Sequence, residues 1–119
     1  MIEFSKHKKG HSQVSVRINP QYRLILSYNI RPDQYEPYYQ FIMNEFVPAL
    51  HQMGLYMTAV WHTAYGQYPL RQVDFVTERL ETLHQAFESD RWEILEGRLK
   101  DYTTNYGRKV VRYVDLFQF

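Results

Sequence analysis

His62 is the side chain in this sequence best suited to moving a proton. It stands in an alternating stretch beside Trp61, with Tyr65 three positions on, and an imidazole can give or take a proton near neutral pH. The next alternating stretch carries Asp74, which could orient the ring if the pairing register brings the two together. Tyr28, Asn29 and Arg31 close an earlier apolar stretch. An enzymatic reading therefore uses His62, Asp74 and Tyr28. The simpler reading is a strand histidine satisfied by a backbone carbonyl or a neighbouring tyrosine, since a lone imidazole lacks the nucleophile–base–orienter geometry of a recognisable site.

A binding reading draws on the aromatic residues. The chain has 11 tyrosines and 2 tryptophans, and Trp61, Tyr65, Tyr39 and Trp92 could line a pocket for a small planar or apolar molecule. Arg31 could clamp an anionic group, because its guanidinium matches a carboxylate fork. Against this, aromatic residues at helical spacing serve the core first, and an arginine beside a helix start commonly faces solvent. His7 and His11 are four apart, but the Lys-Lys-Gly between them does not read as helix and no carboxylate pair accompanies them. There is no cysteine, no Gly-rich phosphate loop, no nucleophile elbow and no His-Glu-x-x-His. No metal and no cofactor are expected.

These residues need elements to hold them. Leu55–Ala64 and Leu70–Thr77 read as the arms of a β-hairpin, and Tyr22–Ile30 as a strand with Leu24, Leu26, Tyr28 and Ile30 on one face. Asp33 with Glu36 fits a capping box for a helix running to about Met53, with Pro48 expected to kink it and Gly54 to end it. Thr77 is the expected cap of a second helix. Asp90 with Glu93 is the expected capping box of a third, with Ile94, Leu95, Leu99 and Tyr102 inward. Asn105-Tyr106-Gly107 reads as its stop, and Lys109–Phe117 as the last strand. Gln13–Ile18 alternates like an extra edge strand or extended arm.

The order β-α-β-β-α-β predicts an α+β, ferredoxin-like sandwich with a four-stranded antiparallel sheet and both helical layers on one face. Residues 1–21 form an N-terminal arm or edge strand, and 22–119 a single domain. Both alternation sets of the strands contain large apolar residues, so the open sheet face is expected to be covered by a second copy, closing a barrel. The chain is 45% apolar and 23% charged with a net charge of +1, which argues against an obligate nucleic-acid binder. Residues 1–23 carry five basic residues and one acid, which reads as a solvated terminus. No apolar run suits a signal peptide or a membrane span, so the expected location is cytoplasmic.

Val47-Pro48-Ala49-Leu50 with Gly54, Trp61 with Gly66, Val73-Asp74-Phe75 and Asp90-Arg91-Trp92 resemble positions of the dimeric α/β-barrel superfamily, and within it of NIPSNAP-like proteins. The resemblance covers about residues 22–119. It implies a homodimer with a pocket in or beside the barrel, in a superfamily that includes cofactor-free monooxygenases, haem-handling enzymes and members without a known reaction. By that analogy the chain is a small-molecule-binding protein of uncertain biochemical role. The alternative is a cofactor-independent monooxygenase or EthD-like enzyme acting on a small aromatic or carbonyl compound.

Overall fold

A computed structural model describes residues 2–7, 13–65 and 68–114, with side chains described for 17–63 and 70–114. Strand β3 (Tyr22–Ile30) lies at the centre of a four-stranded antiparallel sheet of order β4-β5-β3-β6, where β4 is Tyr56–Tyr65, β5 is Tyr68–Thr77 and β6 is Thr103–Arg112. Two earlier strands, β1 (Ile2–His7) and β2 (Gln13–Ile18), pair with each other in a separate two-stranded sheet rather than extending the larger one. Helices α1 (Tyr35–Phe41) and α2 (Val47–Gln52) form the first crossover, and α3 (Leu80–Glu88) and α4 (Asp90–Asp101) the second. The ferredoxin-like architecture is thus present, with its four strands where the sandwich requires them.

Strand alternation puts the core on the helical side. Leu24, Leu26, Tyr28 and Ile30 of β3 are buried, with Phe75 opposite Leu24 and Val73 opposite Leu26. The helices supply Phe41, Phe46, Leu50, Leu83, Leu95 and Leu99, all buried in the same cluster. Phe46 lies 6.2 Å from Phe75 and 6.2 Å from Trp92, spacings at which ring edges and faces attract beyond simple burial.

The first crossover helix bends where proline requires it, by a route the sequence pattern does not announce. Pro48 has no N–H, and its ring crowds the carbonyl of Asn44. The turn before it, Ile42–Phe46, is widened to π geometry, with the Val47 N–H bonded to the Ile42 carbonyl. Gly54 follows at φ 87°, and Leu55 N–H returns to the Leu50 carbonyl at 2.9 Å. Glu45 and Arg98 then tie this bend to α4 by two bonds, of 2.5 and 2.9 Å.

Several local expectations need correction. Asp33 caps nothing through its side chain: Pro32–Gln34 forms a 3-10 turn ahead of α1 instead. Ser89, not Asp90, caps α4, accepting from the Trp92 N–H at 3.2 Å. Thr77 ends β5, and Arg79 precedes α3 without a side-chain cap. Ile94 is 64% exposed because it falls on the outer side of α4, while Leu95 and Leu99 point inward. β6 begins at Thr103, six residues before the expected start, and residues 115–117 of the expected strand lie outside the described residues. Asn105-Tyr106 is a bulge rather than a helix stop: the register slips between Ser27 and Asn29, and Asn105 takes φ 55°. Asparagine and glycine serve stops and bulges equally well, so composition does not separate the two.

The Gly54 turn gives a direct test. At φ 87° an added Cβ is strained, and it would meet Thr82 Cγ2 at 3.1 Å. Gly54→Ala is expected to lower stability by roughly 1–2 kcal/mol, read from the urea unfolding midpoint; an unchanged midpoint means the turn does not hold this geometry.

Candidate functional site

The pairing of β4 with β5 decides which side chains meet. Tyr65 pairs with Tyr68, and the register then sets His62 opposite Arg71 and Ala59 opposite Asp74. Across the next ladder Arg71 faces Tyr28, while Asp74 faces Ile25. Paired residues share a face, so His62, Arg71 and Tyr28 form one row across three strands on the helical side. Asp74 belongs to the other face. The expected pairing of His62 with Asp74 does not form, because a strand residue three positions from a given partner points the opposite way.

Arg71 is the centre of this row. Its Nη2 donates to the Tyr39 hydroxyl at 2.8 Å, and its guanidinium lies 5.2 Å from the Tyr39 ring centre and 5.8 Å from that of Tyr38. The Tyr38 hydroxyl is bonded to the Tyr28 hydroxyl, and Tyr106 stacks on Tyr28 with centroids 6.4 Å apart. The bulge at Asn105 places Tyr106 on the helical side, where its hydroxyl donates to Glu96 at 2.7 Å. Glu96 also receives Arg108 at 2.9 Å, which pins β6 to α4. Four phenols, with Arg71 and Arg108, thus close this end of the core.

Burial sets the chemistry these phenols can perform. Desolvation pushes Tyr28 well above the ordinary phenol range, and the neighbouring Tyr38 hydroxyl pushes it further. Tyr38 is raised by burial and partly relieved by Tyr28 and Arg71, and Tyr106 is raised by burial and then by its bond to Glu96. Neutral phenols here donate and accept hydrogen bonds but do not serve as phenolate bases. His62 is exposed at the edge of the row.

The remaining expected site residues are dispersed. Tyr39 is at the site, 40% exposed. Trp92 is not: it is a core residue, 2% exposed, packed 4.9 Å from Phe87 and under the Arg108 guanidinium. Trp61 lies on the opposite face from His62, opposite Gln72, and is 57% exposed. Arg31 is exposed before the 3-10 turn, with its backbone N–H bonded to the Tyr102 carbonyl at 2.9 Å. Tyr65 ends β4, and its side chain lies outside the described residues, as does His11. Asp74 is buried on the other face, 3.8 Å from Arg23 and 3.1 Å from the Gln72 amide. Arg71 went unremarked in the sequence, although a two-residue hairpin connection between Tyr65 and Tyr68 predicts that it faces His62.

Beside this row the sheet extends past the helices. Val60, on the same face as His62, is 47% exposed, so β4 offers a ledge of Val60 and His62 with Arg71 behind it and Tyr39 as its wall. Described clefts lie elsewhere. One of about 390 Å³ is lined by Met53, Thr82 and Arg91, and one of about 380 Å³ by Pro48, Ile94 and Arg98. Among the described residues no group of three His, Asp or Glu could hold a metal ion, and no helix is long and apolar enough to cross a membrane.

No protein-family model matches the sequence, and no curated protein matches it. Solved structures do match the fold. A NIPSNAP family protein of unknown function from Agrobacterium tumefaciens superposes with a TM-score of 0.60 at 11% identity, over 82% of this chain and 91% of that one. The chain has a NIPSNAP-like, ferredoxin-like fold. A dimeric ferredoxin-like protein from an uncultured marine organism superposes at 0.59 with 13% identity, over 85% and 94% of the two chains. A candidate antibiotic biosynthesis monooxygenase from Nitrosomonas europaea superposes at 0.57 with 12% identity, over 86% and 97%. At such identities the NIPSNAP-like likeness is one of architecture, and the site must be argued from its own residues.

The raised phenols predict an alkaline limit. Unfolded tyrosines titrate near pH 10, while Tyr28, Tyr38 and Tyr106 keep their protons in the fold. Above that pH the unfolded state binds fewer protons, so stability falls as pH rises. Urea unfolding from pH 8 to 11 should show the fall beginning near pH 10, and a Tyr28→Phe/Tyr106→Phe double variant should show a shallower one. Equal slopes would contradict the burial argument.

Proposed function

We propose that this NIPSNAP-like chain binds a small aromatic or apolar molecule on the ledge of Val60, His62, Arg71 and Tyr39. The observation that carries the reading is the row His62–Arg71–Tyr28, which joins an exposed imidazole, a half-buried cation and a buried phenol pair on one face. Ligand sites combine apolar lining with a few convergent polar groups of this kind. Val60 supplies exposed apolar surface and Tyr39 an aromatic wall, with Tyr38 holding the wall to the sheet.

A second reading is favoured by the position of His62 at the solvent end of the row. There it would take a proton from a phenol or an activated C–H of the bound molecule, as in a cofactor-independent monooxygenase or EthD-like enzyme. The likeness in fold to the Nitrosomonas europaea protein is compatible with this chemistry. Tyr28 would act in it as a neutral hydrogen-bonding group, and Asp74 has no part.

Titration with 2-naphthol, followed by amide NMR, is expected to shift Tyr39, Val60 and His62. Shifts confined to the cleft of Pro48 and Ile94 would contradict the assignment. Oxygen uptake with the same phenol, lost in His62→Ala while binding remains, would favour the enzymatic reading; no uptake leaves a binding protein.

We also propose that the chain is a homodimer through the open sheet face. That face is more mixed than the sequence suggests. Arg23, Gln72, Asp74 and Lys109 share it with Ile25 and Val111. Trp61 and Leu70 nonetheless remain 57% and 42% exposed on that face, large apolar surfaces of the kind a partner covers. The dimeric marine protein of the same fold supports this reading. Sedimentation at micromolar concentration should give twice the monomer mass, and Trp61→Glu should shift the population to monomer. A monomeric wild type overturns the proposal.

A further inference from the structure

The charge balance around Arg71 points to the chemical class of the ligand. Arg98 has Glu45, Arg108 has Glu96, Arg79 has Glu81 and Arg23 has Asp74. Arg71 differs. Among the described residues no carboxylate pairs with it; its partners are the Tyr39 hydroxyl and the faces of Tyr38 and Tyr39. Its Nε is buried without a hydrogen-bond partner. A half-buried guanidinium held by rings and phenols, with no carboxylate beside it, keeps donors that an oxyanion would satisfy, and unpaired buried donors carry a desolvation cost.

The surroundings define the shape of that anion. The guanidinium is planar and presents paired N–H groups, which suits the two oxygens of a carboxylate. Phenols from Tyr28, Tyr38 and Tyr39 surround it with neutral donors, and burial keeps Tyr28 and Tyr38 protonated, so no phenolate competes for the cation. Asp74, the nearest strand carboxylate in sequence, faces the other side of the sheet. Beyond the guanidinium lie Val60, exposed and apolar, and His62.

We infer that the ledge takes a small aromatic or apolar monocarboxylate, its carboxylate on Arg71 and its body over Val60 against Tyr39. This rests on the small-molecule reading of the same ledge and narrows it to an acid. His62, opposite Arg71, lies on the carboxylate side of such a ligand, where its ring N–H adds a second donor.

Benzoate and its neutral counterpart benzamide test this on the intact chain by calorimetric titration. Benzoate is expected to bind at least tenfold more tightly than benzamide, and Arg71→Gln to abolish the difference, with Arg71→Lys intermediate because it keeps the charge and loses the fork. In the wild type, benzoate should also shift the Arg71 Nε–H resonance, a readout that needs no variant to fold. Equal binding of the two compounds, or benzoate preference surviving in Arg71→Gln, overturns the inference while leaving a neutral-ligand site. Binding of neither benzoate, benzamide nor 2-naphthol overturns the inference and the small-molecule reading together.

Discussion

The antiparallel pairing of β3 with β5 is the constraint on which the rest of this molecule depends. Leu24 against Phe75 and Leu26 against Val73 lock the two central strands in one register, because a slip of one residue would turn these side chains away from the helices. That register buries Tyr38 and Phe41 of α1 and Val47 and Leu50 of α2, and it also places Arg71 beside Tyr28. The hairpin adds His62 to the row without further freedom. Core and site are therefore consequences of the same pairing, and the site sits where the core ends and the sheet continues.

The helical layer is fastened by a different means. The π turn before Pro48 sets the direction of α2, and the Glu45–Arg98 pair joins that bend to α4. The pair holds Glu45 below the usual carboxylate range, chiefly through its hydrogen bonds to Arg98. Both groups are largely solvent-facing, so the pair fixes orientation more than it adds stability. Glu96 plays the same role at the other end, receiving Tyr106 and Arg108 from β6. The Glu96–Arg108 pair thus borders the phenol cluster through Tyr106, and Arg71 is the cation facing the ledge.

Much of the architecture was legible in the sequence. The hairpin arms, the alternation of Tyr22–Ile30 and the helical spacing of Phe46 and Leu50 each follow from burial of one face, and they gave the element order and the core. Helix starts were not legible, since Asp33, Thr77 and Asp90 all have capping chemistry but only the chain's three-dimensional path decides that Ser89 caps. The last strand was misplaced because Asn105 and Gly107 punctuate a bulge with the same residues that end a helix. For the candidate site, residue type alone does not say which side chains meet; register decides that. The structure brings His62, Tyr28 and Tyr39 to one end of the sheet, whereas the register turns Asp74 away from His62 and Trp92 is core; Arg71 draws no notice within its arm. Its significance comes from neighbours across strands, which no local pattern records.

The central claim is that the strand register, not sequence proximity, assembles the site by setting His62 beside Arg71 and away from Asp74. Nuclear Overhauser contacts from the His62 ring protons report this directly. The account predicts contacts to the Arg71 side chain and none to the Asp74 β protons. Contacts to Asp74 with none to Arg71 would contradict it.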